Sequence, residues 1–297
     1  MGLWQQFFQQ TVNGLALGSI YALIGLGYTM VYGIVQLINF AHGDILMLGA
    51  FVGFFVLVAT GTLVTPLGFI IAFIVSMVVC GIIGIVIERT CYKPLRNAPR
   101  INALITAIGV SIFIQNGARV IPQIGSNPRQ YPTLPNVNWE LAGVGLSRIQ
   151  ALVFLVSIAM MVVLNYVVNY TKIGTAMRAV SYDRNAAYLM GIDVNKIISF
   201  TFAIGSSLAG AAGILFASAY PQVEPYMGIM PGLKAFVAAV LGGIGSIPGA
   251  MVGEIYYGYC RNSYQRFYFI SVSRRDCFWD INSYLSSKTD WDLRLQC

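Results

Sequence analysis

Charge is scarce in this sequence. Only 10% of its 297 residues are Asp, Glu, Lys or Arg, whereas 57% are hydrophobic. A soluble domain carries roughly 25% charged residues, so a chain of this length could not cover a surface that faces water. The composition therefore excludes an ordinary soluble protein and predicts a membrane protein, whose spans need about 20 apolar residues each.

Residues that carry chemistry are equally few. His42 is the single histidine, and the five cysteines have no CxxC or other metal-ligand spacing. A zinc site needs three or four ligands, and the phosphate-binding sequence G-x-x-x-x-G-K-[ST] is missing from the chain. We therefore expect no catalytic residue, no metal and no cofactor in this chain, and we expect that it is not an enzyme.

Apolar runs predict the membrane spans. Six of them lie at residues 12–38, 45–63, 67–87, 101–121, 149–168 and 197–219. A seventh, at residues 233–252, is interrupted at Gly242, Gly243 and Gly245, and predicts either one helix or a re-entrant pair. The proline-containing stretch 122–147 predicts an irregular loop.

Two basic stretches predict the orientation. Residues 88–100 and 172–196 carry four Lys or Arg each, which places both in the cytoplasm and the N-terminus outside. The net charge of +7 is then the positive-inside bias of a membrane protein, and we expect no nucleic-acid partner.

The second basic stretch contains a candidate coupling loop. The segment Asn185-Ala186-Ala187-Tyr-Leu-Met-Gly191 resembles the EAA-xxx-G loop of ABC importer permeases, which implies a short helix that docks on an ATPase subunit. Alanines allow close approach, and a glycine ends a short helix. Asn185 stands where the motif has Glu, so no ion pair is carried over. Arg178 completes the predicted coupling set, unless it simply anchors the loop at the membrane surface.

Four separated segments carry a more specific resemblance. Residues 25–51 (GLGYTMVYGIVQLINFAHGDILMLGAF), 95–116, 173–215 and 231–253 resemble the branched-chain amino-acid (leucine, isoleucine and valine) ABC permease family. The resemblance implies an all-α polytopic permease of about eight transmembrane helices in the bacterial inner membrane, working by alternating access.

The same resemblance implies the partners. They are a homologous second permease subunit, cytoplasmic ATPase subunits that bind the ATP, a periplasmic substrate-binding protein and the lipid bilayer. A urea or short-amide permease is the alternative within the family. An ATP-independent secondary transporter is the second alternative; it would need ionisable groups inside the membrane, and the only near candidates, His42, Asp44 and Glu88, all lie at the ends of the predicted spans.

The first matching segment contains a polar cluster formed by Asn39, His42, Gly43 and Asp44. These residues predict either part of the translocation path or a helix break, since polar groups at membrane depth must be paired. We favour the structural role over substrate contact. Asn102, Gln115 and Asn116 either line the interior or form hydrogen bonds between helices.

The character of the chain changes after residue 253, which predicts a permease domain over residues 1–253 and an aberrant tail over 254–297. The tail holds six of the eighteen Lys and Arg and three of the five cysteines, where the family has a final apolar helix ending in a basic residue and Pro-Thr-Gly. Read one nucleotide later, residues 278–293 can encode an apolar run that ends in such a motif. We therefore hypothesise a frameshift near residues 254–257, and we place no functional residue beyond it. A divergent tail is the alternative.

Overall fold

Helices make up most of the protein. The computed structural model describes residues 3–35, 39–60, 65–96, 98–133, 138–141 and 144–267. Its ten α-helices are α1 (Leu3–Val35), α2 (His42–Thr60), α3 (Pro66–Ile87), α4 (Arg100–Val120), α5 (Arg148–Tyr170), α6 (Lys172–Tyr182), α7 (Arg184–Leu189), α8 (Val194–Ala219), α9 (Ile229–Gly242) and α10 (Ile247–Phe267). The predicted all-α polytopic class is confirmed.

Six helices in the described ranges are long and apolar enough to cross a membrane, namely α1 to α5 and α8. Helix α9 is apolar but has only 14 residues, fewer than the roughly 20 that a span requires. Helix α10 has 21 residues and a polar composition. The expected number of about eight is compatible with these six helices together with α9 and α10.

Helix α1 is the centre of the bundle. Of its apolar window, 94% is buried, mainly beneath α10, α8, α5 and α9. Glycines allow the closest of these approaches, because a Cβ atom on Gly258 would lie 2.3 Å from the Cα of Gly18. Small residues give membrane helices this kind of backbone contact, and the seam between α1 and α10 depends on it.

The last apolar stretch is not one helix. Helices α9 and α10 are separated by a turn in which Gly243 and Gly245 have φ angles of 94° and 100°, a conformation that residues with a side chain rarely adopt. The two helices then pack against each other, with a Cβ on Gly242 only 2.3 Å from the carbonyl oxygen of Gly249. For residues 233–252 a single helix is wrong, because the structure has two helices separated by a turn; their re-entrant placement stays a prediction.

The segment predicted as an irregular loop contains short strands. Strands β2 (Asn138–Leu141) and β3 (Val144–Ser147) pair antiparallel with each other. Strand β1 (Arg129–Gln130) pairs antiparallel with β4 (Gln222–Val223), which follows α8. The prediction of an irregular loop was wrong here, because strands of two to four residues lie at or below the shortest length that sequence alternation can indicate.

The two basic stretches lie at the same end of the bundle. Arg96 donates from Nη1 to Oδ1 of Asn195 at 2.5 Å and so joins them directly. Gln9, near the start of α1, contacts the other end, where its Nε2 donates to the carbonyl of Gly145 at 2.8 Å. The prediction that both stretches share one side is confirmed, while the compartment that each end faces stays a prediction.

Helix α10 continues through the predicted boundary at residue 254 as far as Phe267. Glu254 is fully buried in it, and a Cβ atom on Gly25 of α1 would overlap its carboxylate. Both carboxylate oxygens lack a hydrogen-bond partner within the described part of the chain. Residues 268–297 lie outside the described residues, and the frameshift stays a prediction.

Candidate translocation site and coupling surface

The connection between α1 and α2 turns inside the protein. Asn39 is 2% exposed, and its Oδ1 accepts hydrogen bonds from the backbone N–H of Ala41 at 3.1 Å and from the hydroxyl of Tyr92 at 2.9 Å. The carbonyl of Asn39 also accepts from the N–H of His42 at 3.2 Å. Asn39 therefore satisfies the freed backbone groups that precede α2, as the helix-break interpretation requires.

His42 lies beside the interior part of α1. Its ring centroid is 4.6 Å from that of Tyr28, and the carbonyl of Ile24 accepts a hydrogen bond from the imidazole. A Cβ on Gly27 would lie 2.3 Å from Nε2, so that glycine provides the space for the ring. Gly27 precedes the end of α1 by eight residues, or about 12 Å of helix.

This depth corrects one premise of the sequence analysis. His42 and Asp44 were expected at the end of a span. They do lie at the start of α2, but that start is deep in the bundle. Because the chain turns back inside the bundle, both side chains are buried beside the middle of neighbouring helices, 1% and 2% exposed. Sequence position shows where a helix starts but not how deep that start lies.

The starts of α2 and α9 meet at this point. A Cβ on Gly43 would lie 2.6 Å from the carbonyl oxygen of Gly228, and a Cβ on Gly228 would lie 1.9 Å from that of Gly43. Neither position can carry a side chain without moving a backbone. The prediction singled out Gly43, but sequence reasoning missed its partner Gly228, which lies 185 residues later.

Asp44 faces a cavity between α2, α4 and α9. Its Oδ1 accepts a hydrogen bond from Nε2 of Gln115 at 2.8 Å. The cavity has a volume of about 190 Å³. Its walls are largely apolar and include Phe40, Ile108, Ile229, Leu233 and Phe236, with Ser111 and Gln115 as polar groups.

Of the three polar residues predicted on α4, only Gln115 forms a hydrogen bond to another helix. Asn102 and Asn116 are exposed, and Nδ2 of Asn116 donates to the carbonyl of Ile112 in its own helix at 2.9 Å. The prediction that they line the interior or join helices is therefore wrong for these two asparagines within this chain.

A second polar cluster lies below the helix break. Glu88 is completely buried and forms an ion pair with Arg96. The hydroxyl of Ser199 donates to the other oxygen of Glu88 at 2.6 Å, and Arg96 reaches Asn195 as described above. This cluster connects the end of α3 to the start of α8, so both oxygens of its buried carboxylate are paired.

Helix α6 is fixed to the end of α5 by Arg178. Its Nη1 donates to the backbone carbonyl of Asn169 at 3.2 Å and to Oδ1 of the same residue at 3.3 Å. Gly174 lets α6 fold back, because a Cβ there would lie 2.2 Å from the carbonyl oxygen of Val168. Within this chain Arg178 thus positions the loop.

The structure shows a short helix where the coupling motif implies one. Asp183 caps α7, with its carboxylate accepting from the backbone N–H groups of Asn185 at 2.8 Å and Ala186 at 3.1 Å. Gly191 follows the helix with φ of 82°, which confirms the prediction that a glycine ends it. Ala186 is exposed, whereas Ala187 is 4% exposed and packs inward.

Large apolar side chains in this helix and next to it are exposed. Four of them are between 72% and 97% exposed, namely Tyr182, Tyr188, Leu189 and Met190. Sequence reasoning missed them because it concentrated on the alanines and the glycine. They form an apolar patch next to polar ends of helices, which is typical of a surface that another protein covers.

Arg184 connects the loop to α1. Its Nη2 donates to the carbonyl of Val35, the last residue of α1, at 2.7 Å. Burial, followed by the nearby positive charge of Arg96, lowers the pKa of Arg184. Arg184 of the coupling loop thus contacts Val35 at the end of α1, and Tyr92 contacts Asn39 just before α2.

A metal site is not formed by the described part of the chain, where no three His, Cys, Asp or Glu side chains come together. Glu88 pairs with Arg96, and Asp44 with Gln115.

Comparison with known proteins agrees with this arrangement. Residues 10–276 match the family described as the branched-chain amino acid transport system permease component. The chain is 43% identical to the high-affinity branched-chain amino acid transport system permease protein LivH of Escherichia coli K12 over 264 residues, covering 85% of this chain and 84% of that protein. It is 44% identical to BraD of Pseudomonas aeruginosa over 260 residues, with the same coverage.

A more distant relative is the probable branched-chain amino acid permease LivH of Methanocaldococcus jannaschii, 28% identical over 81% of this chain and 75% of that protein. No solved structure matches the chain. The family match extends beyond residue 253 and covers most of the chain, and the six apolar helices are consistent with it. The protein belongs to the family of permease components of branched-chain amino acid transport systems.

Proposed function

We propose that this chain is the membrane-spanning permease subunit of an ABC importer that moves branched-chain amino acids across the bacterial inner membrane. In this proposal a homologous second permease completes the path, cytoplasmic ATPase subunits supply the energy, and a periplasmic protein delivers the substrate. The chain binds no ATP itself and catalyses no reaction. The relatives' identity above 40% over most of both chains carries the assignment.

The geometry of α6 and α7 supports the ATPase as a partner. Here the apolar patch of Tyr182, Tyr188, Leu189 and Met190 is exposed beside the basic end of the bundle. A patch of this kind gains about 25 cal/mol for each Å² of apolar surface that a partner removes from water. The docking of α7 on the ATPase would place that partner next to Arg184, which contacts the end of α1.

This connection supports a mechanism of alternating access. When ATP closes the ATPase pair, the coupling loop moves and carries the end of α1 with it through Arg184. Asn39 is hydrogen-bonded to Tyr92, so the displacement of α1 acts on the helix break at Asn39. The break holds the starts of α2 and α9 against each other, so its movement opens or closes the path between them.

Reconstitution of the complex tests the proposal. The permease, its second permease, the ATPase and the binding protein are placed in proteoliposomes, and uptake of labelled leucine is measured with and without internal ATP. We expect uptake that requires both ATP and the ATPase. Uptake without ATP would instead establish a secondary transporter, and uptake of urea or a short amide in place of leucine would establish the alternative substrate.

A matched pair of tyrosine variants tests the coupling surface. Tyr188 lies in α7 and is 72% exposed, whereas Tyr220 is 49% exposed at the opposite end of the bundle. We expect Tyr188→Ala to reduce the amount of ATPase that co-purifies with the permease, whereas Tyr220→Ala leaves it unchanged. Equal recovery of the ATPase with both variants would place its docking surface elsewhere.

The tail from about residue 254 is proposed to come from a shifted reading frame. The buried carboxylate of Glu254, with both oxygens unpartnered among the described residues, supports a disturbance near this point, since unpaired polar groups in a membrane protein are costly. Resequencing of the gene tests the proposal. An intact frame, with no added nucleotide relative to close relatives, would contradict it.

A further inference from the structure

The Asp44 carboxylate has an unusual environment for a buried acid. It is 2% exposed, and its polar contacts among the described residues come from Gln115, which donates to Oδ1, and from the hydroxyl of Ser111. The second oxygen, Oδ2, has no hydrogen-bond partner in the part of the chain that the structure describes. A buried carboxylate with a free oxygen is costly unless a donor or a cation is supplied.

The described residues that line the cavity include neither Lys nor Arg. Glu88, by contrast, lies at a similar position near the end of a helix and has both a guanidinium and a hydroxyl as partners. Glu88 thus has its partners among the described residues, whereas Oδ2 of Asp44 has a place for a partner that the described lining does not supply.

The rest of the cavity is suited to a small zwitterion with an apolar side chain. Its walls carry Ile108, Leu233 and Phe236, which suit a branched aliphatic group. The starts of α2 and α9 meet beside it at Gly43 and Gly228. The positive ends of two helix dipoles thus converge where a carboxylate can lie, as at the discontinuous helices of other transporters.

We infer that Asp44 receives the α-ammonium group of the translocated amino acid in the cavity between α2, α4 and α9. Gln115 holds Oδ1, which leaves Oδ2 as the oxygen for the ammonium group, while the apolar walls enclose the branched side chain. Asp44 is then a substrate-binding residue and not only part of the helix break. This inference rests on the proposed function and names the group through which that function selects its substrate.

The first test uses three permease variants in the complete complex, in proteoliposomes with saturating binding protein. Asp44→Asn keeps the size and removes the charge, and Asp44→Glu keeps the charge. Asn116→Gln is the matched control, because Asn116 lies next to Gln115 on α4 but is exposed and bonds only within its own helix. Uptake of labelled leucine and the rate of ATP hydrolysis are measured together.

We expect Asp44→Asn to lower leucine uptake by about tenfold to a hundredfold, the range for losing a charged hydrogen bond. Asp44→Glu should retain part of the uptake, and Asn116→Gln should stay within about twofold of the wild type. Uptake by Asp44→Asn within twofold of the wild type would overturn the inference. If the wild-type complex itself imports no leucine with ATP, the proposed function fails instead, whatever Asp44 does.

A second test needs no variant and so does not depend on folding. The thermal unfolding of the wild-type complex is measured without binding protein, in the presence of leucine, leucinamide or 4-methyl-2-oxopentanoate. We expect leucine and leucinamide, which carry the ammonium group, to raise the unfolding midpoint, and the oxo acid, which lacks it, to leave the midpoint unchanged. Equal protection by the oxo acid and leucine, or no protection by either amine, would overturn the inference.

Discussion

The hydrogen bond between Tyr92 and Asn39 offers a direct measure of what holds the helix break. Tyr92→Phe removes only the hydroxyl and keeps the ring, whose centroid lies 5.2 Å from that of Phe202. Hydrogen bonds between membrane helices contribute about 0.6 kcal/mol on average and up to about 1.7 kcal/mol. This bond is 2.9 Å long and fully buried, so we expect Tyr92→Phe to lower the free energy of unfolding by about 1 kcal/mol.

Asn39→Ala should cost more than Tyr92→Phe. Its Oδ1 accepts from both Tyr92 and the N–H of Ala41, and both donors would be left buried. We expect a loss of about 2–3 kcal/mol, and about the same loss for the double variant, because its shared bond is removed only once. The double-mutant cycle should therefore give a coupling energy of about 1 kcal/mol.

Unfolding in mixed micelles of increasing SDS content measures these free energies for the purified permease. Tyr166→Phe is the control, since Tyr166 is 60% exposed on α5 and its variant should change stability by less than about 0.5 kcal/mol. If the losses of the two single variants simply add in the double variant, the hydrogen bond between Tyr92 and Asn39 does not stabilise the break. The contact of Arg184 with Val35 would then be the remaining one of the two contacts proposed to connect the coupling loop to α2.

Three further substitutions test the end of the bundle that carries the two basic stretches. Gly174→Ala would bring a methyl group within 2.2 Å of a backbone carbonyl, whereas nothing lies within 4 Å of a Cβ on Gly109. We therefore expect ATPase co-purification to fall with Gly174→Ala and to stay unchanged with Gly109→Ala. A similar loss with both variants would contradict the packing argument. Gly191→Ala forces a side chain into the left-handed region, which costs about 1–2 kcal/mol, and should raise the rate at which protease cleaves the coupling loop; unchanged cleavage would mean that the turn does not need this conformation. Arg96→Ala leaves Glu88 buried without its cation and should lower the free energy of unfolding by about 3 kcal/mol, with partial recovery in Arg96→Lys; an unchanged SDS midpoint would show that the ion pair is dispensable.

Much of the fold follows from the sequence because the lipid-facing composition fixes helices and their approximate limits. The run at residues 67–87 and helix α3 (Pro66–Ile87) nearly coincide, since Thr65 and Pro66 form a helix start that can be read locally. The end of α7 at Gly191 could be predicted for the same reason. These features depend on neighbours within a few residues of each other.

The parts that sequence reasoning missed depend on distant residues. Nothing near Gly43 indicates that Gly228 will lie against it, or that Asp44 will bond to Gln115, 71 residues later. The depth of His42 follows from the turn before α2, which an apolar run conceals because residues 12–38 read as one continuous span. The family resemblance supplied the function, whereas the cavity and its unpaired oxygen required the three-dimensional arrangement.

The burial of α1 has a consequence for biogenesis. This helix leaves the ribosome before α10, yet α10, which begins about 210 residues after α1 ends, is among the helices that cover α1 most closely. At a synthesis rate of roughly 5–20 residues per second, the synthesis of α10 begins about 10–40 seconds after that of α1 ends. The glycine-containing face of α1 is not covered by α10 during that time. During that interval other helices or membrane chaperones can occupy this face. A change in the part of the gene that encodes α10 therefore affects how α1 is packed.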